Sequence, residues 1–176
     1  MTQRILILAT NGFEQSELME PKAALEAAGY ETVVASPESG EIRGWKDKDW
    51  GESVAVDADI GDVSESDFDA LMLPGGQMNP DILRMDSRVI DLISAFDEAE
   101  KPIAAICHAP WLLAEADIID GRRVTSWPSL HTDLENAGAE VLDEQVVVDG
   151  NLITSRKPGD IPAFNEALIA MLRDAA

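Results

Sequence analysis

Cys107 and His108 stand side by side in Lys101-Pro-Ile-Ala-Ala-Ile-Cys-His-Ala-Pro-Trp111; Cys107 is the only cysteine and His108 one of two histidines. A thiol attacks carbonyls and binds oxidants as the thiolate, so the question is what around it favours the charge. Ile103 to Ile106 is a short apolar run suited to a buried parallel strand. Pro110 suits the first turn of a helix, where its missing N–H leaves nothing unpaired. The expected geometry is strand, sharp turn at Cys107, helix. It lifts the sulfur above a sheet end and toward a positive helix terminus, where a thiol ionises more easily. The competing reading is a small buried hydrophobe. Sequence neighbours usually point apart, so the Cys–His pair works only if the turn brings the imidazole round.

Two other stretches carry matching chemistry. Arg4 to Thr10 leads into Glu14 and Glu17, and Ala70 to Leu73 leads into Pro74-Gly75-Gly76. Taken alone, Glu17 is a favourable charge in a first helical turn, and the glycines a tight turn. Taken together they form a set, because ligands of open α/β sheets bind beyond the carboxyl ends of strands. Gly76 would let its amide approach a ligand and, with the N–H after Cys107, make an oxyanion hole. An ionised Glu17 would oppose a thiolate; buried and protonated, it would donate to the sulfur instead. This predicts a raised pKa for Glu17 and a lowered one for Cys107. Trp111 and Trp127 flank strand ends on the same side and are candidates for lining the pocket or for plain packing. His131 reads as a surface or interface histidine, since a metal would need more ligands than the sequence offers.

These groups require a particular scaffold. Arg4–Thr10 as a central strand, helix from Glu17 to Ala28 closed by Gly29, and a strand over Thr32–Ala35 make the opening of a doubly wound α/β sandwich. Ser36 to Gly61 reads as a loop-rich excursion with short strands, Val54–Val56 the best of them. Its Trp45 and Trp50 are expected under the loop or at a subunit contact, with ligand binding the alternative. Further strands are expected at 70–73, 103–106, after 121–125, and at 141–142, 146–148 and 152–154. Asp149-Gly150-Asn151 marks a hairpin between the last two. Helices are expected at 87–99, 129–137 and 162–172. No repeat or interdomain linker divides the chain, so the expectation is one domain over residues 1–176 with a mostly parallel central sheet flanked by helices.

Composition narrows the partners. Thirty-four acidic residues face thirteen basic ones, five of them lysine, for a net charge of −21. Such a surface repels nucleic acid and anionic membranes. Its excess of Asp and Glu over Lys also fits adaptation to high salt, where screening relieves self-repulsion. One cysteine permits no internal disulfide or cysteine-based zinc cluster, as expected in a reducing compartment. Neither a signal peptide nor a membrane span is read in the sequence, so a cytoplasmic location is expected. No cofactor is called for.

Leu-Pro-Gly-Gly (73–76), Ala-Ile-Cys-His-Ala-Pro-Trp (105–111), Thr-Ser-Trp-Pro-Ser (125–129), Asn-Ala-Gly-Ala-Glu (136–140), Val-Val-Asp-Gly-Asn (147–151) and Thr-Ser-Arg-Lys-Pro-Gly-Asp-Ile-Pro-Ala-Phe (154–164) resemble the DJ-1/PfpI superfamily. The likeness spans nearly the whole chain and is nearest the intracellular-protease-like branch, with its stress proteins described as protein and nucleotide deglycases. The resemblance implies a flavodoxin-like fold and a homo-oligomer, a dimer or a hexamer of dimers, with the active site near a subunit interface. It implies Cys107 as nucleophile, Glu17 as the acid beside its sulfur, and His108 as the histidine completed by an acid from a neighbouring subunit. Asp81 is where that acid falls. Two departures stand out: Ala109 where the branch usually has Gly, and Asp81 where the archaeal protease has Glu. The implied reactions are deglycation of methylglyoxal or glyoxal adducts, or a glutathione-independent glyoxalase reaction, on a small molecule or glycated amine. The alternatives are a peptidase or amidase and a non-enzymatic oxidative-stress sensor or chaperone.

Overall fold

A computed structural model describes residues 1–176. In chain order the elements are β1 (Arg4–Leu8), β2 (Phe13–Glu14), α1 (Gln15–Ala27), β3 (Glu31–Ser36), β4 (Glu41–Lys46), β5 (Asp49–Ala55), β6 (Ala58–Asp59) and β7 (Ala70–Leu73). There follow α2 (Met78–Leu83), α3 (Ser87–Glu98), β8 (Ile103–Ile106), α4 (Pro110–Glu115), β9 (Arg123–Val124), α5 (His131–Asn136), β10 (Glu140–Val141), β11 (Val147–Asp149), β12 (Leu152–Ser155) and α6 (Ile161–Asp174).

Seven strands form the main sheet in the order β11-β12-β8-β7-β1-β3-β6. All its pairings are parallel except β11 with β12. That antiparallel pair turns through Gly150, at φ 59°, and Asn151, as the Asp-Gly-Asn signal implied. The central strands are apolar on both faces because both are covered. Leu6, Leu8, Leu71, Leu73, Ile103 and Ala105 point into a core closed by α3, α4 and α5. Ile5, Ile7, Ala70, Met72, Ala104 and Ile106 point into a second core closed by α1 and α6. This is the expected flavodoxin-like sandwich, in which β1, β7 and β8 lie side by side and deliver their three following loops to one place.

The 36–61 stretch departs from expectation. It is an ordered antiparallel hairpin, β4–β5, that joins β2 in a separate three-stranded sheet. Alternating charges on its exposed face disguise the strands, and the two-residue turn is made by Asp47 (φ 50°) and Lys48 (φ 66°) where glycine or asparagine is usual. Trp45 and Trp50 are cross-strand partners packed edge to face at 5.4 Å, so neither lies under a loop. The short α2, six residues with Pro80 in its first turn, is too brief to show an apolar period in the sequence.

Candidate active site

The β8 strand ends at Ile106, and Cys107 follows in the left-handed region at φ 66°. An L-residue other than Asn, Asp or Gly is rarely held there without surrounding constraint. The constraints are visible: the Cys107 N–H donates to the carbonyl of Ser155 at 3.0 Å, and the Cys107 carbonyl accepts from the Trp127 N–H at 2.8 Å. The turn brings the imidazole round, placing His108 Nδ1 3.1 Å from Cys107 Sγ. His108 is clamped between Trp127, stacked at 5.8 Å, and Trp111, edge-on at 5.2 Å. Its pKa is lowered by burial, so the ring is neutral near pH 7 and can accept the thiol proton. Ala109 takes ordinary helical angles (φ −58°, ψ −29°), so replacing the usual glycine leaves the elbow unstrained at that point.

Gly75 and Gly76 are required by space as well as by turning. A Cβ on Gly75 would lie 2.5 Å from Glu17 Oε1 and 2.6 Å from both Cys107 Cβ and the Ile106 carbonyl oxygen. Gly76 has φ 85° and backbone from residues 12–14 against it. Its N–H and that of His108 each lower the pKa of the Cys107 thiol, and two such amides are the number of donors an oxyanion hole uses. The loop is fastened by the fully buried Asn79, which the sequence reading did not single out. Its amide nitrogen donates to the carbonyls of Pro74 (2.9 Å) and Gly75 (3.2 Å), and its oxygen accepts from the Thr10 N–H (2.8 Å). One side chain thereby ties the loop after β7 to the loop after β1.

Glu17 is completely buried on α1, and neither carboxyl oxygen meets a partner in hydrogen-bonding geometry. Burial and then the charge of Glu14 raise its pKa to about 8, against the weaker opposing pull of Cys107 and the Gly75 and Gly76 amides. Glu17 is therefore protonated near neutrality, as expected. Cys107 departs from expectation: its pKa is raised, first by burial and then by the charge of Glu17. Cys107 is 6% exposed, and α4, six residues long, starts three residues beyond it, so helix-terminus help is small. The Gly76 and His108 amides lower the value without overcoming burial. Within the isolated chain the resting state is a neutral thiol beside a neutral acid.

The cleft over the sulfur encloses about 360 Å³ and is lined by Glu14, Glu17, Trp45, Asp47, Gly76, Gln77, Cys107, His108, Trp127 and Pro158. Cys107, His108, Glu17, Gly75, Gly76 and Trp127 thus converge as the sequence implied. Trp111 does not line the cleft; it backs His108 and donates from Nε1 to Asp133 at 2.9 Å. Asp81 lies on the exposed side of α2, outside the cleft of its own chain. His131 opens α5, away from this lining. Asp47, Gln77 and Pro158 are additions that only the folded hairpin and loops reveal, and Trp45 stands in the lining, where the alternative reading of the sequence would have it. No group of three or more His, Cys, Asp or Glu side chains is placed to hold a metal ion, and no helix is long and apolar enough to cross a membrane.

The family model described as DJ-1/PfpI matches residues 3–171. The chain belongs to the DJ-1/PfpI family. It is 47% identical over 173 residues to General stress protein 18 of Bacillus subtilis, covering 98% of this chain and 99% of that one. It is 42% identical over 175 residues to Protein/nucleic acid deglycase 2 of Escherichia coli, covering 98% and 99%. Among solved structures, Drosophila melanogaster DJ-1beta superposes with a TM-score of 0.89 at 32% identity, covering 98% of this chain and 91% of that one. Membership of this family and these relatives support a cysteine-dependent activity of the DJ-1/PfpI type.

Proposed function

We propose that the chain is a cysteine-dependent enzyme acting on 2-oxoaldehydes or their amine and thiol adducts, as a deglycase or a glutathione-independent glyoxalase. The observation that carries this reading is the strained Cys107 elbow, with His108 Nδ1 3.1 Å from the sulfur and an unpaired, buried Glu17 beside it. The sulfur adds to the aldehyde carbon as its proton passes to the imidazole. The oxygen that becomes negative is met by the Gly76 and His108 amides. A proton then moves from that carbon to the neighbouring carbonyl carbon through an enediol, giving a thioester of a 2-hydroxy acid. In an amine adduct that carbon already carries nitrogen, so the sulfur takes its place as the C–N bond breaks and the imidazolium returns its proton to the leaving amine; in either case water hydrolyses the thioester and frees the thiol. No external oxidant is needed, since one carbon is oxidised as its neighbour is reduced. A raised resting pKa suits this order of events, because the thiol ionises only when a base and an electrophile are both present.

A cleft of about 360 Å³ walled by Trp45 and Trp127 favours small carbonyl compounds over a peptide chain. We also take the working form to be a homo-oligomer in which Asp81 acts on a neighbouring subunit's His108. Its exposed position on α2, beside Ile82 (50% exposed) and Met85 (86% exposed), supports that reading. The deciding experiment compares wild type, Cys107→Ala and Asp81→Asn for methylglyoxal loss, lactate formation and casein cleavage. Lactate formation lost in Cys107→Ala, with no casein cleavage by wild type, is the expected result. Lactate at wild-type rate from Cys107→Ala overturns the mechanism, and undiminished activity in Asp81→Asn removes the cross-subunit acid.

A further inference from the structure

Packing alone fixes the angle of the His108 ring. Apart from Cys107 Sγ at 3.1 Å, the imidazole has no hydrogen-bond partner in the chain. It lies between Trp127, at an interplanar angle of 20°, and Trp111, at 70°. The two indoles are anchored differently. Trp127 belongs to the elbow itself, its N–H donating to the Cys107 carbonyl at 2.8 Å. The Trp111 indole is held from outside the elbow. Its Nε1–H donates to Asp133 of α5 at 2.9 Å, and the Arg84 guanidinium, just beyond α2, lies 5.7 Å from the ring centre. Arg84 is itself forked onto Glu115 of α4, at 2.8 and 3.2 Å. Asp133 is exposed and outside the cleft lining, and its carboxylate accepts no other hydrogen bond. A bond to a charged acceptor is roughly twice as strong as a neutral one, and an edge-on aromatic contact has a preferred geometry that plain apolar packing lacks.

We infer that Trp111 and Asp133 are a positioning pair for the proton transfer: Asp133 fixes the indole through its N–H, and the indole fixes the angle at which His108 Nδ1 meets the sulfur. Neither residue lines the cleft. The inference rests on the reading of His108 as the base for Cys107. A plain tie between α4 and α5 would cost stability on its loss and leave the thiol chemistry untouched.

The test uses the full chain. Cys107 is the only cysteine, so its alkylation by iodoacetamide reports on the sulfur and its base whatever the substrate is. Trp111→Phe keeps an aromatic ring and deletes the N–H. Asp133→Ala deletes the acceptor at an exposed helical position, where folding is not at risk, and Asp133→Asn restores an acceptor oxygen. In Trp111→Phe and Asp133→Ala, the alkylation rate and the kcat for methylglyoxal should each fall about tenfold with KM held within about twofold, since displacing a reacting group by an ångström costs up to about a hundredfold. Asp133→Asn should return both to within about threefold of wild type. Denaturant midpoints establish that each variant is folded. Wild-type alkylation and kcat in folded Asp133→Ala, or an equal loss in Asp133→Asn, overturns the pair; so does a change confined to KM. Alkylation unchanged in His108→Gln overturns the base and this inference with it. Slowed alkylation in Asp133→Ala, rescued in Asp133→Asn, in a chain that converts no methylglyoxal upholds the pair and overturns the proposed reaction alone.

Discussion

The two walls of the cleft are built on opposite principles. The inner wall, from the loops after β1, β7 and β8, is buried, and each position is dictated by space: glycine at 75 and 76, a left-handed Cys107, an asparagine holding three backbone groups. The outer wall, from the β4–β5 hairpin, is half-exposed, and none of its charges is in an ion pair. What differs is tolerance: the inner wall fixes the reaction and accepts almost no change, whereas the outer wall can alter what enters without disturbing the fold.

The largest effect that tests this contrast is pH-dependent. Glu17 has an unfolded value of 4.5 and a folded value of about 8, so between these pH values the native chain keeps a proton that the unfolded chain has lost. Stability from this group is complete below pH 4.5, falls as pH rises, and levels off above pH 8, a loss on the order of 5 kcal/mol. Glu17→Gln should abolish that slope in denaturant titrations between pH 5 and 9. An unchanged slope would mean the inner wall is less dry than its burial implies. Next comes Gly75→Ala, which drives a methyl into Cys107 and the Ile106 carbonyl and should destabilise by about 3 kcal/mol as well as displace the sulfur. Gly159→Ala, with nothing within 4 Å and no left-handed backbone, is the control and should stay within about 0.5 kcal/mol. Asn79→Ala should lose about 2 kcal/mol, because the Thr10 N–H is left buried and unpaired, and should lower activity by loosening Gly76.

The same contrast decides how much the sequence reveals. The main sheet is legible because its strands are apolar on both faces and its turns use residues with few alternatives. Cys107, Gly75 and Gly76 are legible because only unusual residue types fit there. Asn79 is not, since a buried asparagine and an exposed one look alike until its three partners are assembled from loops 69 and 4–5 residues away. The hairpin is obscured by its surface charges, and the ionisation of Cys107 by burial, which depends on every neighbour at once. Trp111 shows the limit of position alone: it flanks the correct strand end yet supports His108 from behind.

The smallest effect compares two of the five residues other than glycine that take left-handed backbone. Cys107 at φ 66° and Lys48 at φ 66° are equally unsuited to their conformation, each by about 1 kcal/mol or more relative to glycine. At Lys48 nothing depends on the side chain, which is exposed at the tip of a two-residue turn. Lys48→Gly should therefore relieve the strain, raising stability by about 1 kcal/mol and the melting temperature by roughly 2–4 °C. At Cys107 the strain is what turns the sulfur toward His108, and no residue can relieve it and keep the thiol. If Lys48→Gly leaves the melting temperature unchanged, the turn is already relaxed and tolerance of the outer wall has another origin. If it raises stability while methylglyoxal conversion holds, left-handed strain is incidental at the hairpin, and the elbow alone keeps it for chemistry.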